Sequence, residues 1–255
     1  MEYQKIFDTH AHYDDDRFDE DRDAVLSALP GQGVCAVVNC GSNFLSSEKS
    51  IVLAGKYPFV FAAVGVHPQD AAGLFGEEDR QRLLALCRRD KVVAVGEIGL
   101  DYYYPHVKEI QLQWFEEQIK VALELALPVI VHDREAHGDT LALLRRYRPR
   151  GVVHCFSGSV EMMEEIVALG MYIGLGGAVT FRNAKTPVAV AAAAPADRLL
   201  LETDCPYMAP APFRGKRCDS SLIVYTAEKI AEVRGVSVDE VLSQTAENAR
   251  RVYGL

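Results

Sequence analysis

The stretch LPVIVHDREAHGDTLALLRRYRPRGVVHCFSG, residues 127–158, contains two short apolar runs, and a histidine stands at the end of each run. Both runs are almost continuously apolar rather than alternating, which is typical of parallel strands that are covered on both faces. The segment between them closes with the basic stretch RRYRPR (145–150), and cations near a helix C-terminus complement the helix dipole. The stretch therefore predicts a strand, a helix and a second strand, with His132 and His154 at the strand ends.

The same alternation extends along the whole chain. Six further runs resemble these two: KIFDTH, VCAVVNC, FVFAAVGV, KVVAVGEI, MYIGLGG and RLLLETD. Helical patterns lie between the runs or after the last one, at 19–29, 106–125, 159–170, 221–235 and 237–255. Eight strands alternating with helices over about 250 residues predict an α/β fold, a (β/α)8 TIM barrel, with residues 1–255 as a single domain. An open doubly wound sheet is the alternative, although its glycine-rich phosphate-binding motifs are not present.

The charge and the cysteines limit the classes of function. The 255 residues carry a formal net charge of −9, which argues against unspecific coating of nucleic acid but not against a phosphate-bearing substrate. The six cysteines form no C-x-x-C pair, which fits a reducing compartment. The start MEYQKIFD has no apolar signal-peptide core, and no run approaches the ~18 apolar residues that span a membrane. We therefore expect a cytoplasmic enzyme or binding protein without a membrane span.

Side chains with metal-binding chemistry follow the predicted strands. In a (β/α)8 barrel these strand ends meet at one mouth, where the active sites of such enzymes lie. The positions are occupied by His10, His12, His67, Glu97, His132, His154, Glu202 and Asp204. Alternate residues of a strand share a face, so His10 and His12 can reach one ion. Buried carboxylates such as Glu97 and Asp204 need a partner, which a cation at the mouth would supply.

The number of these groups indicates two ions rather than one. The proposed ligands are His10, His12, Glu97, His132, His154 and Asp204. Six ligands exceed what one catalytic ion with an open position can hold, whereas two ions that share a carboxylate would accommodate them. Imidazole and carboxylate without thiolate suit Zn, Mn, Fe or Co, and Mg where carboxylate and water dominate. The residues on their own therefore predict metal-dependent hydrolysis in a barrel.

The motifs DTHAH, GEIGLDYY, VHDREA, HCFSG and ETDCPY, in this order, resemble those of the TatD-type metal-dependent deoxyribonucleases, a family of amidohydrolase-like barrels. The resemblance covers essentially the whole chain and includes RGKR at 214–217 and TAENARRVY near the C-terminus. It implies that His10 and His12 bind one ion and that His132 and His154 bind the second. Glu97 would bridge the two ions.

The resemblance also implies the catalytic groups and the substrate. Asp204 would be the last ligand and would accept the proton of the attacking water, so Asp204 and Glu97 are the candidate catalytic residues. Behind the site, Asp8 and Asp101 are expected to support neighbours by hydrogen bonding. The family's usual activity is Mg- or Mn-dependent hydrolysis of DNA, often from a 3′ end, and Zn can occupy the site. We thus expect two divalent ions and a DNA substrate, single-stranded or with a free 3′ end; the oligomeric state stays open, and a monomer is plausible.

Further residues are candidates for substrate binding. His67 ends the third run in GVHP, and we expect it to contact substrate rather than bind metal. Arg134 and Arg214 are candidates for holding phosphates, because a planar guanidinium suits phosphate oxygens. Tyr102 and Tyr103 could stack on a base, although packing into the core is the more frequent use of such rings.

Three segments raise separate expectations. After RGKR the family usually continues with Asn and shortly after with Pro, whereas this chain has Cys-Asp-Ser at 218–220, in a loop that we expect at the edge of the substrate cleft. After His132 the family commonly has a small residue, whereas Asp133 here adds a negative charge unless Arg134 pairs with it. The acidic run at 14–21 is expected to be a solvated loop that leads into the first helix.

Two other functions remain open from the sequence. The same barrel could hydrolyse an amide, a lactone or an aminoacyl ester, because the residues define the metal centre and not the bond that is cleaved. A metal-binding scaffold without turnover is the second alternative, although the complete ligand set argues against it.

Overall fold

A computed structural model describes residues 5–73 and 76–255, and its strands form one parallel sheet in the order of the chain. The strands are β1 (Ile6–Ala11), β2 (Val34–Cys40), β3 (Val60–Val64), β4 (Val92–Asp101), β5 (Val129–Arg134), β6 (Gly151–Val153), β7 (Tyr172–Leu175) and β8 (Leu199–Leu201). A parallel bridge between Ala11 and Cys205 joins the chain after β8 to β1, so the sheet is a nearly closed barrel. The predicted TIM barrel is confirmed, and the open doubly wound sheet was the wrong alternative.

Helices follow the strands. They are α1 (Arg22–Ala28), α2 (Phe44–Lys56), α3 (Glu77–Cys87), α4 (Lys108–Glu124), α5 (His137–Tyr147), α6 (Val160–Ala168), α7 (Lys185–Ala193), α8 (Ile223–Arg234) and α9 (Val238–Tyr253). The predicted start of α6 is confirmed, because the Ser159 side chain accepts a hydrogen bond from the Met162 N–H. This bond satisfies one of the N–H groups that have no partner within the helix.

The alternation of side chains along the strands separates the interior of the barrel from its outer surface. Ile130, Val152 and Leu200 belong to one apolar cluster that the strands share. The residues between them, such as Val131 and Val153, belong to the larger cluster that includes the helices. Because residues two positions apart share a face, the residues two positions after the first set also point inward, at the C-terminal end of the barrel. These residues are His132, His154 and Glu202.

The junction between β1 and the chain after β8 places three further polar side chains together. The Asp204 N–H donates to the His10 carbonyl at 2.9 Å, and the His12 N–H donates to the Cys205 carbonyl at 2.8 Å. Closure of the barrel therefore sets Asp204 beside His10, which lies in β1, and His12, which follows β1.

The acidic run at 14–21 is only partly the solvated loop that its composition predicts. Asp14 is buried, and its carboxylate accepts a hydrogen bond of 2.8 Å from the Asn39 side chain. Phe18 is fully buried in the core. Residues 1–4 of the segment MEYQKIFD lie outside the described residues. In the part of the chain that is described, no helix has the length and apolar character needed to cross a membrane.

The cap of α6 gives a test of the local structure. Replacing Ser159 by Ala removes the side-chain acceptor from an exposed position and should lower the free energy of unfolding by about 1 kcal/mol. Ser159→Asp keeps an acceptor and should retain most of the stability. Urea denaturation measures both variants, and an equal loss in the two would contradict the capping role.

Candidate metal centre

Glu97 is buried in the middle of β4, and its two carboxylate oxygens face different histidines. Oε2 lies 3.5 Å from Nε2 of His10 and 3.6 Å from Nε2 of His12. Oε1 lies 2.8 Å from Nδ1 of His132 and 2.7 Å from Nε2 of His154. The carboxylate therefore stands between two separate pairs of ring nitrogens.

Asp204 joins the first pair. Its Oδ1 lies 3.3 Å from Nε2 of His12 and 3.6 Å from Nε2 of His10, and these two nitrogens are 2.9 Å apart. The backbone of Asp204 has a φ of 60°, in the left-handed region that non-glycine residues seldom adopt outside turns and functional sites. This conformation directs the carboxylate toward the same point as the two imidazoles.

In two histidines, the group behind the ring determines which ring nitrogen faces the centre. Nδ1 of His12 lies 2.8 Å from the Cys40 carbonyl, to which it can only donate, so Nε2 faces the centre and would offer its lone pair to an ion that displaces its proton. Nε2 of His132 lies 3.4 Å from Oδ2 of Asp101, which leaves Nδ1 of His132 facing Glu97. A carboxylate or carbonyl behind a histidine is the usual support for a metal ligand.

His67 presents a hydrogen-bond donor to the centre rather than a lone pair. Its Nδ1 accepts a hydrogen bond of 3.2 Å from the Gln69 N–H, so a neutral His67 carries its proton on Nε2. Burial lowers the pKa of His67 to about 3, which keeps the ring neutral. Nε2 lies 3.6 Å from Oε1 of Glu97 and therefore presents an N–H group to the centre. Such a group can donate to an oxygen but does not offer the lone pair that a metal needs.

The carboxylates of the centre favour positive charge on their neighbours. Burial acts to raise the pKa of Glu97, but the surrounding histidines, His154 first, hold it well below its ordinary value. Burial acts to lower the pKa of His12, but the hydrogen bond and charge of Asp204 outweigh it and raise the pKa to about 10. The carboxylates of Asp101 and Glu97 in the same way raise the pKa of His132 to about 9 against the effect of burial.

The donor set fits divalent cations. Three groups of ligand atoms lie within 4.8 Å of one another: His10–His12–Asp204, His10–Glu97–His154 and His67–Glu97–His132. The first two use only nitrogens and oxygens that can offer lone pairs, whereas the third includes the protonated Nε2 of His67. Imidazole with carboxylate suits Zn, Mn, Fe and Co. A cation there would supply the positive charge that the carboxylates otherwise draw onto the imidazoles.

The centre opens into a cavity of about 690 Å³ at the mouth of the barrel. Seven carboxylates line this cavity, whereas Arg134 is its single arginine among the described residues. An anionic substrate would be repelled by such a lining. Cations at the centre would offset this repulsion.

Glu202 lies behind His154, an arrangement that the sequence did not reveal although the strand-end position of Glu202 was noted. Its carboxylate accepts a hydrogen bond from the Cys155 N–H and lies 3.8 Å from Nδ1 of His154. Burial raises the pKa of Glu202 to about 8. Gly174 makes the room, because a Cβ there would lie 2.2 Å from Oε2 of Glu202. The sequence signal that could have located Glu202 in the site is its position two residues after Leu200, which points inward.

Asp8 supports β1, and the loop at 218–220 takes part in this support. The Asp8 carboxylate accepts hydrogen bonds from the Ser220 hydroxyl at 2.7 Å, the Thr203 hydroxyl at 2.6 Å and the His10 N–H at 3.2 Å. Residues 218–220 do not line the large cavity. The expectation that this loop edges the substrate cleft was therefore wrong, and its departure from the family pattern bears on the support of β1.

Asp133 does not pair with Arg134. Its carboxylate lies 2.7 Å from Nδ1 of His137, in the first turn of α5, while the Arg134 guanidinium stacks over the Tyr103 ring at 3.9 Å. Arg134 lines the cavity and Arg214 does not. A phosphate contact by either arginine remains a prediction.

A parallel barrel with histidines and carboxylates converging at its C-terminal mouth defines a metal-dependent hydrolase. The family model described as TatD related DNase matches residues 7–254, and the chain belongs to this family.

Individual relatives agree with this assignment. The chain is 40% identical to the metal-dependent hydrolase YabD of Bacillus subtilis over 252 residues, which cover 97% of this chain and 98% of the relative. It is 34% identical to the 3′-5′ ssDNA/RNA exonuclease TatD of Cronobacter sakazakii over 258 residues, 97% of each chain. The crystal structure of YJJV, a TatD homolog from Escherichia coli, superposes with a TM-score of 0.92 at 32% identity and 99% coverage of both chains.

Metal binding should depend on pH with a definite sign. Without metal, His12 and His132 hold protons up to pKa values of about 10 and 9, and a bound ion must displace these protons. Affinity for Mn²⁺ should therefore rise with pH below these values, by about tenfold per pH unit for each proton displaced. Calorimetric titration in buffers of different ionisation enthalpy measures the proton release. An affinity independent of pH over this range would contradict the assignment of the two imidazoles as ligands.

Proposed function

We propose that the chain is a two-metal phosphodiesterase that removes nucleotides from the 3′ end of single-stranded DNA. The observation that carries the proposal is the division of the Glu97 oxygens between two pairs of ring nitrogens. In this proposal His10, His12 and Asp204 would hold one ion, and Glu97 would offer its second oxygen to another.

His132 and His154 hold the second ion, on the Oε1 side of Glu97. Divalent ions bound there would supply a water of lowered pKa and would stabilise charge on the leaving oxygen of a phosphodiester. They would also offset the negative charge of the cavity lining.

The chain's own residues supply the remaining chemistry. Burial acts to raise the pKa of Asp204, but its hydrogen bond to His12 and the charges of nearby histidines lower it, so the carboxylate is ionised. Asp204 can therefore accept the proton of the attacking water. The Nε2–H of His67 donates a hydrogen bond to an oxygen of the phosphate. This hydrogen bond strengthens as negative charge develops on that oxygen.

The choice of substrate rests on two observations. The cavity carries an arginine beside a metal centre, which is suitable for a phosphate. The TatD relative from Cronobacter sakazakii is named a 3′-5′ ssDNA/RNA exonuclease. Hydrolysis of an amide, a lactone or an aminoacyl ester is the alternative, because the metal centre itself does not select the bond.

The cysteines support the proposed cytoplasmic location. Cys35, Cys40, Cys87, Cys155, Cys205 and Cys218 are free thiols, and four of them are buried. A reducing compartment keeps such thiols reduced.

Digestion of labelled oligonucleotides tests the proposed activity. With Mg²⁺, Mn²⁺ and Zn²⁺ supplied separately, we expect stepwise shortening of a 5′-labelled single strand from its 3′ end. A panel of esters, lactones and amides runs in parallel under the same conditions. Survival of DNA with all three metals would refute the nuclease assignment, and turnover of a member of the panel would favour the alternative.

Replacement of Glu97 tests the bridge. Glu97→Gln keeps the shape of the side chain but removes its charge, and we expect a loss of activity of more than about 100-fold with reduced metal content. Glu247→Gln, at an exposed position of α9, is the matched control and should behave as the wild type. Full activity of Glu97→Gln would contradict the bridging assignment. Circular dichroism establishes that the variant is folded.

Replacement of His67 distinguishes a hydrogen-bond donor from a metal ligand. His67→Ala should lower kcat by about 100-fold, because removal of one donor to a developing charge has an effect of this order. His67→Gln retains an N–H group and should recover part of the loss. Both variants should keep the metal content of the wild type. A loss of metal in either variant would instead identify His67 as a ligand.

A further inference from the structure

Three exposed tyrosines lie at the mouth of the barrel, on loops that follow two different strands. Tyr103 and Tyr104 follow β4, are 55% and 41% exposed, and meet edge to face with their ring centres 5.0 Å apart. Tyr207 follows β8 and is 41% exposed. Tyr104 and Tyr207 both line the cavity that contains the candidate metal centre. Tyr102, the other candidate for base stacking from the sequence, instead packs against the apolar core.

An arginine accompanies the tyrosines on each side. The Arg134 guanidinium lies 3.9 Å from the centre of the Tyr103 ring, and the Arg17 guanidinium lies 4.3 Å from the centre of the Tyr207 ring. Arg17 also lies 3.9 Å from a carboxylate oxygen of Asp15. Among the described residues, no carboxylate lies within 4 Å of the Arg134 guanidinium, so its charge is not compensated and is available to a phosphate.

The two groups stand on opposite sides of the metal centre. Tyr103 and Tyr104 follow β4 and Arg134 is the last residue of β5, whereas Arg17 and Tyr207 follow β1 and β8. In a ring of eight strands in sequential order, these two pairs of strands are four positions apart. A chain that contacts both groups must therefore pass over Glu97 and its histidines. We call the five residues the aromatic track.

We propose that the aromatic track holds the bases of a single-stranded nucleic acid on both sides of the phosphate at the metal centre. The inference rests on the proposed function and deepens it by assigning residues that position the substrate. Exposed aromatic rings and arginines together are the means by which proteins hold single strands, because every unpaired base offers a flat face. Base pairing hides these faces, so the track selects single strands over duplexes.

The charges around the track set the direction of the strand. Carboxylates line the cavity on both sides, but the two arginines differ: Arg17, beside Tyr207, lies 3.9 Å from a carboxylate oxygen of Asp15, whereas Arg134, beside Tyr103, has no carboxylate within 4 Å among the described residues and can attract further phosphates. The 3′-terminal nucleotide carries no phosphate beyond the one that is cleaved, whereas the rest of the strand carries one for each nucleotide. The terminal base therefore stacks on Tyr207, and the preceding bases lie over Tyr104 and Tyr103, with Arg134 beside their phosphates.

Digestion kinetics of the full-length, metal-loaded protein test the track. Tyr104→Ala should lower kcat/KM for a single-stranded oligonucleotide by about tenfold or more, mainly through a higher KM. Tyr104→Phe keeps the ring, and Leu123→Ala changes an exposed apolar residue of α4 outside the cavity. Leu123→Ala should stay within about twofold of the wild type, whereas Tyr104→Phe should recover most of the kcat/KM that Tyr104→Ala loses. Equal effects of Tyr104→Ala and Tyr104→Phe would overturn the stacking role.

Abasic oligonucleotides assign each base to its tyrosine. Without the penultimate base, Tyr104→Ala should no longer differ from Tyr104→Phe; without the terminal base, Tyr207→Ala should no longer differ from Tyr207→Phe. Persistence of either difference on the matching abasic strand would overturn the track. If the wild type digests no strand, the proposed function fails. If it digests strands and both alanine variants keep the wild-type kcat/KM, the track fails while the proposed function stands.

Discussion

The site depends on one buried carboxylate that is surrounded by ring nitrogens. Burial of an anion is strongly unfavourable unless positive charge or hydrogen-bond donors surround it. Glu97 meets this condition through His10 and His12 on one oxygen and His132 and His154 on the other. The barrel supplies this arrangement because parallel strands that follow one another around a ring bring all of their C-terminal ends to one mouth.

A second layer of polar groups lies behind the proposed metal ligands. Asp8 is tied to the loop before α8, Asp101 lies behind His132, and Glu202 lies behind His154. Asp101 and Glu202 place carboxylates behind two of the proposed ligands, and Asp8 holds the backbone of the strand that carries His10.

Much of this arrangement follows from the sequence, because strand ends and alternation are local properties. The ends of the apolar runs located the groups that converge in the structure, and the two histidines of the opening stretch face Glu97. Contacts between distant segments could not be predicted in the same way. Asp8 and Ser220 are 212 residues apart in the chain, and the burial of Asp14 depends on Asn39 from another strand. The pairing of Asp133 with a histidine of α5 likewise depends on how the helix begins.

The central claim is that Glu97 joins two cation sites. Anomalous diffraction from crystals of the protein loaded with Mn²⁺ or Zn²⁺ tests it most directly. The account predicts two peaks roughly 3.5–4 Å apart, with Oε2 of Glu97 bound to the ion held by His10 and His12, and with Oε1 bound to the ion held by His132 and His154. A single peak, or two peaks of which neither is bound by Glu97, would contradict it.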